Sequence, residues 1–372
     1  MDHIITNFDE LNINNKRKDA LLIIEAGYNA IDTREAVKKG VILENNILHI
    51  KGKLFDLDEY KRIFIIGFGK ASSKAVLSIE DVLGNRITDG VVIDKDINSA
   101  CRIVKVYKGT HPIPSLENVE FSKKIVELAQ QLRDDDLVIV VVSGGGSALL
   151  CFPTSEYEQG KELYKTFLRT GGTIEELNVL RKHISEIKGG GLAKMLYPAT
   201  VASLIFCDIP GNHYEDTASG PTYFDNTTIQ DAEKLLEKYA IKNTFSFKET
   251  PKDKMYFEKI INIPFISNIE ALSVMTDKAK ELGYEVSSLG GEVYTSSSVV
   301  LERMKQLLKD NSVVIAGGEL TITLKKEEGV GGRNLFTCGQ ALKLIDDKDI
   351  FIAFASDGID NMSSSAGAIV DF

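Results

Sequence analysis

The 372-residue chain has no basic tract longer than Lys16-Arg17-Lys18, and its formal net charge is −10. Neutralising nucleic-acid phosphates needs clustered Lys and Arg, so this composition argues against a nucleic-acid partner. It leaves room for a small anionic ligand, because one basic pocket fits within an acidic, soluble protein. No C-x-x-C pair joins the four cysteines, Cys101, Cys151, Cys207 and Cys338. They read as buried reduced thiols rather than a zinc site or disulfide framework. The five histidines show neither H-x-x-x-H nor H-E-x-x-H spacing, which argues against a histidine-ligated metal. The N-terminus carries Asp2, Asp9 and Glu10 without a secretory apolar core. No apolar run approaches the ~20 residues that span a bilayer. The expectation is a cytoplasmic protein with no membrane partner.

What is present is a globular composition, 43% hydrophobic and 26% charged, long enough for two domains. Residues 16–38 read as one amphipathic helix. A pattern of apolar run, glycine-rich turn and helix follows. Lys61–Ile66 leads into Gly67-Phe68-Gly69-Lys70, Leu137–Val142 into Ser143-Gly144-Gly145-Gly146-Ser147, and Thr200–Cys207 into Asp208-Ile209-Pro210-Gly211. Nearly continuous apolar runs suit strands covered on both faces, and alternation with helices predicts a doubly wound, mostly parallel sheet. Thr173 and Glu176 form a capping-box pattern for a helix that turns Leu177, Leu180 and Ile184 inward and stops near Lys188-Gly189-Gly190-Gly191. The polar stretch 241–262 reads as a connection. A smaller α/β domain then begins with strand Ile263–Ile266, and further strands are expected at 284–289, 312–316, 320–324 and 350–355.

Ligands of open parallel sheets bind outside the carboxyl ends of the strands. Lys70, Ser143, Asp208, Glu319 and Asp357 each follow a predicted strand within a few positions. The triple glycine after Ser143 lets backbone approach a phosphate, and a helix N-terminus after it would add N–H groups. The alternative is a tight turn needing glycine for geometry alone. Neither Walker A spacing nor a complete G-x-G-x-x-G occurs, since position 72 is Ser. Lys70 stands on the first turn of a helix, where a cation is disfavoured unless an anion shares the site; an exposed surface lysine is the alternative. Asp208 suits a magnesium ligand, a base for a substrate hydroxyl, or a turn aspartate. Arg333, in Gly331-Gly332-Arg333-Asn334, can clamp a carboxylate or phosphate in bidentate fashion. His111-Pro112-Ile113-Pro114 reads as a stiff segment, and His183 as a packing histidine.

Together these stretches resemble the type-2 glycerate kinase family, with an N-terminal glycerate kinase domain and a C-terminal MOFRL domain. The matching segments are GFGKAS (67–72), HPIP (111–114), VVSGGGSALL (141–150), LNVLRKHISEIKGGGLA (177–193), DIPG (208–211), ASGPT (218–222), AGGELTITL (316–324), GGRN (331–334), DGID (357–360) and AGAIVD (366–371). The resemblance implies a Rossmann-like domain over 1–245, a connection over 246–262 and a MOFRL-like domain over 263–372, with a cleft between the two domains. It implies phosphorylation of D-glycerate to 2-phosphoglycerate, using ATP and Mg2+ or another divalent cation. Lys70 and Arg333 would be its principal cations, with Arg333 brought in by domain closure. Asp208 would be catalytic and, with Asp357, a metal ligand. Ser143, Gly144, Gly145, Gly146, Ser147, Arg181, Lys188, Glu319 and Asn334 would bind substrate or phosphate. A homodimer stays open.

Three departures from the family pattern stand out. Asn212-His213 replaces an acidic pair, so a second carboxylate is lost unless Glu215 or Asp216 supplies it. The DGID segment continues as Asn361-Met362-Ser363-Ser364-Ser365 rather than with the family's glycine and aspartate. The chain stops at Phe372, where relatives continue to a Thr/Gly-rich segment, so the C-terminal domain is expected to lack its last piece; if that segment contributes a strand or a phosphate contact, activity would be weakened or lost. Two other readings remain: a hydroxypyruvate reductase-type oxidoreductase, with Asp94 as the acidic residue of a dinucleotide site, and a non-catalytic binder of glycerate or nucleotide.

Overall fold

Three apolar runs before the glycine-rich turns become adjacent strands of one sheet. The computed structural model describes residues 3–97, 101–167, 169–322, 331–360 and 364–372. The chain forms two compact units. The larger comprises Thr33–Ile209 and His213–Ile266; the smaller comprises Met1–Asp32, Pro210–Asn212 and Ser267–Phe372.

In the larger unit, β1 (Val41–Glu44), β2 (Ile47–Ile50) and β3 (Lys53–Asp56) form an antiparallel meander. The main sheet contains β4 (Arg62–Phe68), β5 (Ile87–Asp94), β6 (Lys105–Lys108), β7 (Asp136–Ser143), β8 (Thr200–Phe206) and β9 (Ile260–Ile266). Its order is β6-β5-β4-β7-β8-β9, with every neighbouring pair parallel. The chain therefore winds outward from β4 through β5 to β6, returns to the other side of β4, and winds outward again from β7. That reversal is the topological switch point of a doubly wound sheet.

Burial explains why the centre holds. Every residue of Leu137–Val142 in β7 is fully buried. Such burial contributes about 1.5–3 kcal/mol per large apolar side chain, against about 1–2 kcal/mol to fix each backbone unit. The edge strand β6 has no buried position and gains correspondingly less. Phe68, Val140, Val142, Leu149, Leu192 and Leu196 belong to the core beneath the glycine-rich turns.

The smaller unit is built around two helices, Asn15–Ile31 and Asn268–Glu281. Ile23, Ile24, Met275, Ala279 and Ile315 form its buried cluster. Gly27 is what admits Met275, whose Sδ would lie 2.7 Å from a Cβ at that position. The strands β10 (Glu285–Ser288) and β11 (Ser312–Ile315) pair in parallel, and β12 (Phe351–Phe354) and β13 (Gly367–Val370) antiparallel.

Several expectations shift. The single helix over 16–38 is two, Asn15–Ile31 and Thr33–Gly40, broken where Asp32 turns extended. The run expected to open the C-terminal domain, 263–266, is the end of β9 and pairs with β8. Its Pro264 is tolerated because β9 is an edge strand. The capping-box helix starts as expected but ends at His183. There Ser185 Oγ accepts hydrogen bonds from the N–H groups of Ile187 and Lys188, offering the backbone a turn instead. Of the strand expected over 320–324, Thr321 forms an isolated bridge with Ser296, and 323–324 lie outside the described residues. Among the described residues, no helix is long and apolar enough to cross a membrane.

Candidate active site

At the switch point, the turns that follow β4 and β7 touch directly. Lys70 N–H donates to the carbonyl of Gly144 at 2.9 Å. A Cβ on Gly69 would lie 2.1 Å from Ser143 Oγ, so only glycine lets the two turns meet. The triple glycine is equally constrained. A Cβ on Gly144 would fall 1.9 Å from a carboxylate oxygen of Asp208, and one on Gly146 2.6 Å from Ala218 Cβ. One on Gly145, whose φ is +80°, would meet the His111 ring at 2.9 Å and Lys70 Cγ at 3.1 Å. The expected loop thus gathers Lys70, Asp208, His111 and Ala218 from four other stretches of chain. Lys70 is exposed and has no ion-pair partner among the described residues.

The two loop serines differ. Ser143 is buried, accepting from Ala71 N–H at 3.2 Å and sharing a hydrogen bond with Ser72 Oγ at 3.2 Å. It fastens one turn to the other instead of facing outward. Ser147 starts a polar chain: its Oγ is 2.9 Å from Ser219 Oγ, which donates to Asn178 Oδ1 at 3.3 Å. Arg181 Nη1 donates to the same oxygen at 3.5 Å. Arg181 is half-buried, burial lowers its pKa, and no carboxylate pairs with it among the described residues. A cation held this way, with no carboxylate in ion-pair contact among the described residues, suits an external anion.

Two expectations need correction. The helix after the glycine loop is one turn, Gly146–Leu149, so it adds little dipole or N–H donation. Lys188 is buried, with its ammonium ion-paired to Glu156 and donating to the Leu150 carbonyl at 2.6 Å. Glu156 also accepts from Ser185 Oγ at 2.6 Å and from Phe152 N–H at 2.9 Å. Lys188 therefore staples the chain after the loop and offers no charge to a ligand.

Asp208 is exposed just beyond β8. Nearby in sequence, His213, Glu215 and Asp216 bring one ligand atom each within 4.8 Å of one another, so carboxylates do stand close to the departed acidic pair. Burial raises the Asp216 pKa, partly opposed by Lys182. Asp94 is fully buried and accepts from Ser73 N–H at 2.9 Å, capping the helix Ser72–Leu83. That duty takes the acidic residue a dinucleotide site would need.

In the smaller unit, Arg333 opens the helix Arg333–Ala341 and is ion-paired with Glu319, both half-exposed. Sequence reasoning missed Asp360. Its buried carboxylate accepts from the N–H groups of Asn334 (3.1 Å) and Leu335 (2.8 Å) and from Asn334 Nδ2 (3.1 Å). Asn334 and the helix N-terminus are thus already occupied by Asp360. Asp357 is exposed, and one of its oxygens accepts from Ile359 N–H at 3.3 Å.

Two family models match the chain. Residues 19–248 match the family model described as a domain of unknown function, DUF4147, and residues 312–372 match the MOFRL family. The chain is 33% identical over 335 residues to the D-glycerate 2-kinase of Thermotoga maritima, covering 83% of this chain and 78% of that protein. It is 30% identical over 383 residues to the glycerate 2-kinase of Pyrococcus horikoshii, covering 95% and 86%. A relative from Agrobacterium vitis, provisionally named a hydroxypyruvate reductase, is 32% identical over 330 residues, covering 83% and 75%. The crystal structure of Thermotoga maritima glycerate kinase superposes with a TM-score of 0.81 at 29% identity, covering 95% of this chain and 86% of that one. By matched domains, identity and fold, the chain belongs to the glycerate kinase family.

Proposed function

We propose that this protein is a glycerate 2-kinase, transferring the terminal phosphoryl group of ATP to the 2-hydroxyl of D-glycerate. The observation that carries the reading is the meeting of Lys70, the Gly144–Gly145 backbone and Asp208 at the switch point of the sheet. Phosphoryl transfer asks the protein mainly to position its reactants and neutralise spreading charge. Lys70 supplies an exposed cation beside the glycine loop, where its side chain, Asp208 and His111 lie against the loop backbone. Arg181 would hold a second anionic group, the substrate carboxylate or a nucleotide phosphate. Asp208 would accept the hydroxyl proton as the new O–P bond forms and ADP leaves. Arg333, released from Glu319, would serve as the second catalytic cation.

A divalent cation takes hard oxygen donors and usually keeps several waters. The exposed carboxylate of Asp208 suits it, with Asp357 or the Glu215–Asp216 pair as further donors. Bound there, it would neutralise phosphate charge.

Purified protein should release ADP only when glycerate, ATP and Mg2+ are all present; release that ignores glycerate would overturn the reading. The oxidoreductase alternative predicts NADH oxidation with hydroxypyruvate. The capping duty of Asp94 speaks against it.

A further inference from the structure

His111 belongs to none of the roles assigned so far. Its imidazole is half-buried and lies over the one loop glycine that is itself partly open to solvent. A Cβ on Gly145 would lie 2.9 Å from His111 Cδ2 and 3.2 Å from Nε2, with Lys70 Cγ at 3.1 Å on the same side. Neither ring nitrogen has a hydrogen-bond partner among the described residues. Ring nitrogens left without a protein partner, beside an ammonium with no ion-pair partner among the described residues, are available to bond an oxygen of a ligand.

We propose that His111 is a ligand-contacting residue of the loop site, donating a hydrogen bond from neutral imidazole to an oxygen of the anionic group held by Lys70. The charged groups that act on the ring are Lys70, after β4, and Lys95, after β5. Burial first, and then these two cations, lowers its pKa to about 4, so it is uncharged at neutral pH. A neutral imidazole has one N–H donor and one acceptor nitrogen. It can therefore orient an oxygen without adding a third positive charge that would hold product too tightly. An anion arriving beside Lys70 cancels part of the field that keeps the ring neutral, so binding raises the His111 pKa.

The inference rests on the kinase reading, and the tests separate the two. Wild-type protein that fails to form ADP from ATP and glycerate overturns the kinase reading. Given wild-type turnover, His111→Phe should lower kcat/KM by about 10²-fold or more. His111→Gln, which keeps an N–H donor, should recover at least about tenfold of that loss. A Phe variant within about twofold of wild type would overturn the proposal. On wild-type protein, the His111 ring signal in a proton NMR titration should move on adding inorganic phosphate, with its midpoint shifted upward. An unmoved signal at saturating phosphate would also overturn it.

Discussion

Lys70 and Lys188 show how little a residue type says until its surroundings are known. Lys70 follows an apolar run and Lys188 stands at the expected end of a helix, both beside glycines, and the family resemblance implies that both meet substrate or phosphate. Lys70 is exposed and has no ion-pair partner among the described residues, whereas Lys188 is buried against Glu156, 32 residues away in sequence. Nothing local to Lys188 announces that partner. Lys70→Ala should lower kcat/KM by about 10²–10³-fold while shifting stability by no more than about 0.5 kcal/mol. Lys188→Ala leaves a buried carboxylate unpaired and should cost about 3–5 kcal/mol in urea denaturation. A stable Lys188→Ala protein with impaired phosphate binding would reverse the assignment made here. The glycines were more legible, because their spacing marks where backbone must approach closely. What they approach, Asp208 and His111 included, was not, since those contacts join distant turns.

Single elements were read well where the pattern was local and poorly where a tertiary contact decided. The helix Ile174–His183 shows both. Its capping box at Thr173 and Glu176 formed as read, and Leu177, Leu180 and Ile184 face a core with Leu163 and Phe167. Its end depended on a serine hydroxyl that no apolar period reveals. Glu176 is held by Lys238, then Tyr239, then the Thr173 N–H, which bring its carboxyl from 4.5 down to about 2. A depressed carboxyl stabilises the folded state above its ordinary pKa, and that contribution disappears as pH falls from about 4.5 toward about 2. Glu176→Ala should therefore lose about 1 kcal/mol at neutral pH. The difference from wild type in thermal midpoint should shrink through that acid window; a constant difference would count against the assignment. Asp360 makes the complementary case. It lies in an acidic turn read as a metal site at Asp357, yet its buried carboxylate caps the helix that carries Arg333.

At the scale of the molecule, the sequence indicated two α/β units and a parallel sheet but not where the chain passes between them. Local periodicity cannot tell which sheet an apolar run joins, so β9 was assigned to the wrong neighbourhood. It likewise could not foresee that the helix Asn15–Ile31 folds with Asn268–Glu281. Ile24→Ala should cost about 2–5 kcal/mol. In hydrogen exchange, the loss of protection should fall on β10, β11 and the helix Asn268–Glu281 and spare β4, β7 and β8. Equal loss in the large sheet would show that the division into units is not one of stability. The same pairing has a consequence for synthesis. Ile23 and Ile24 leave the ribosome about 290 residues before Ile315, the last member of their buried cluster. At about 5–20 residues per second, this apolar face waits roughly 15–60 s for its partners. The smaller unit therefore joins helices translated far apart, and the nascent chain must shield Asn15–Ile31 until Asn268–Glu281 arrives.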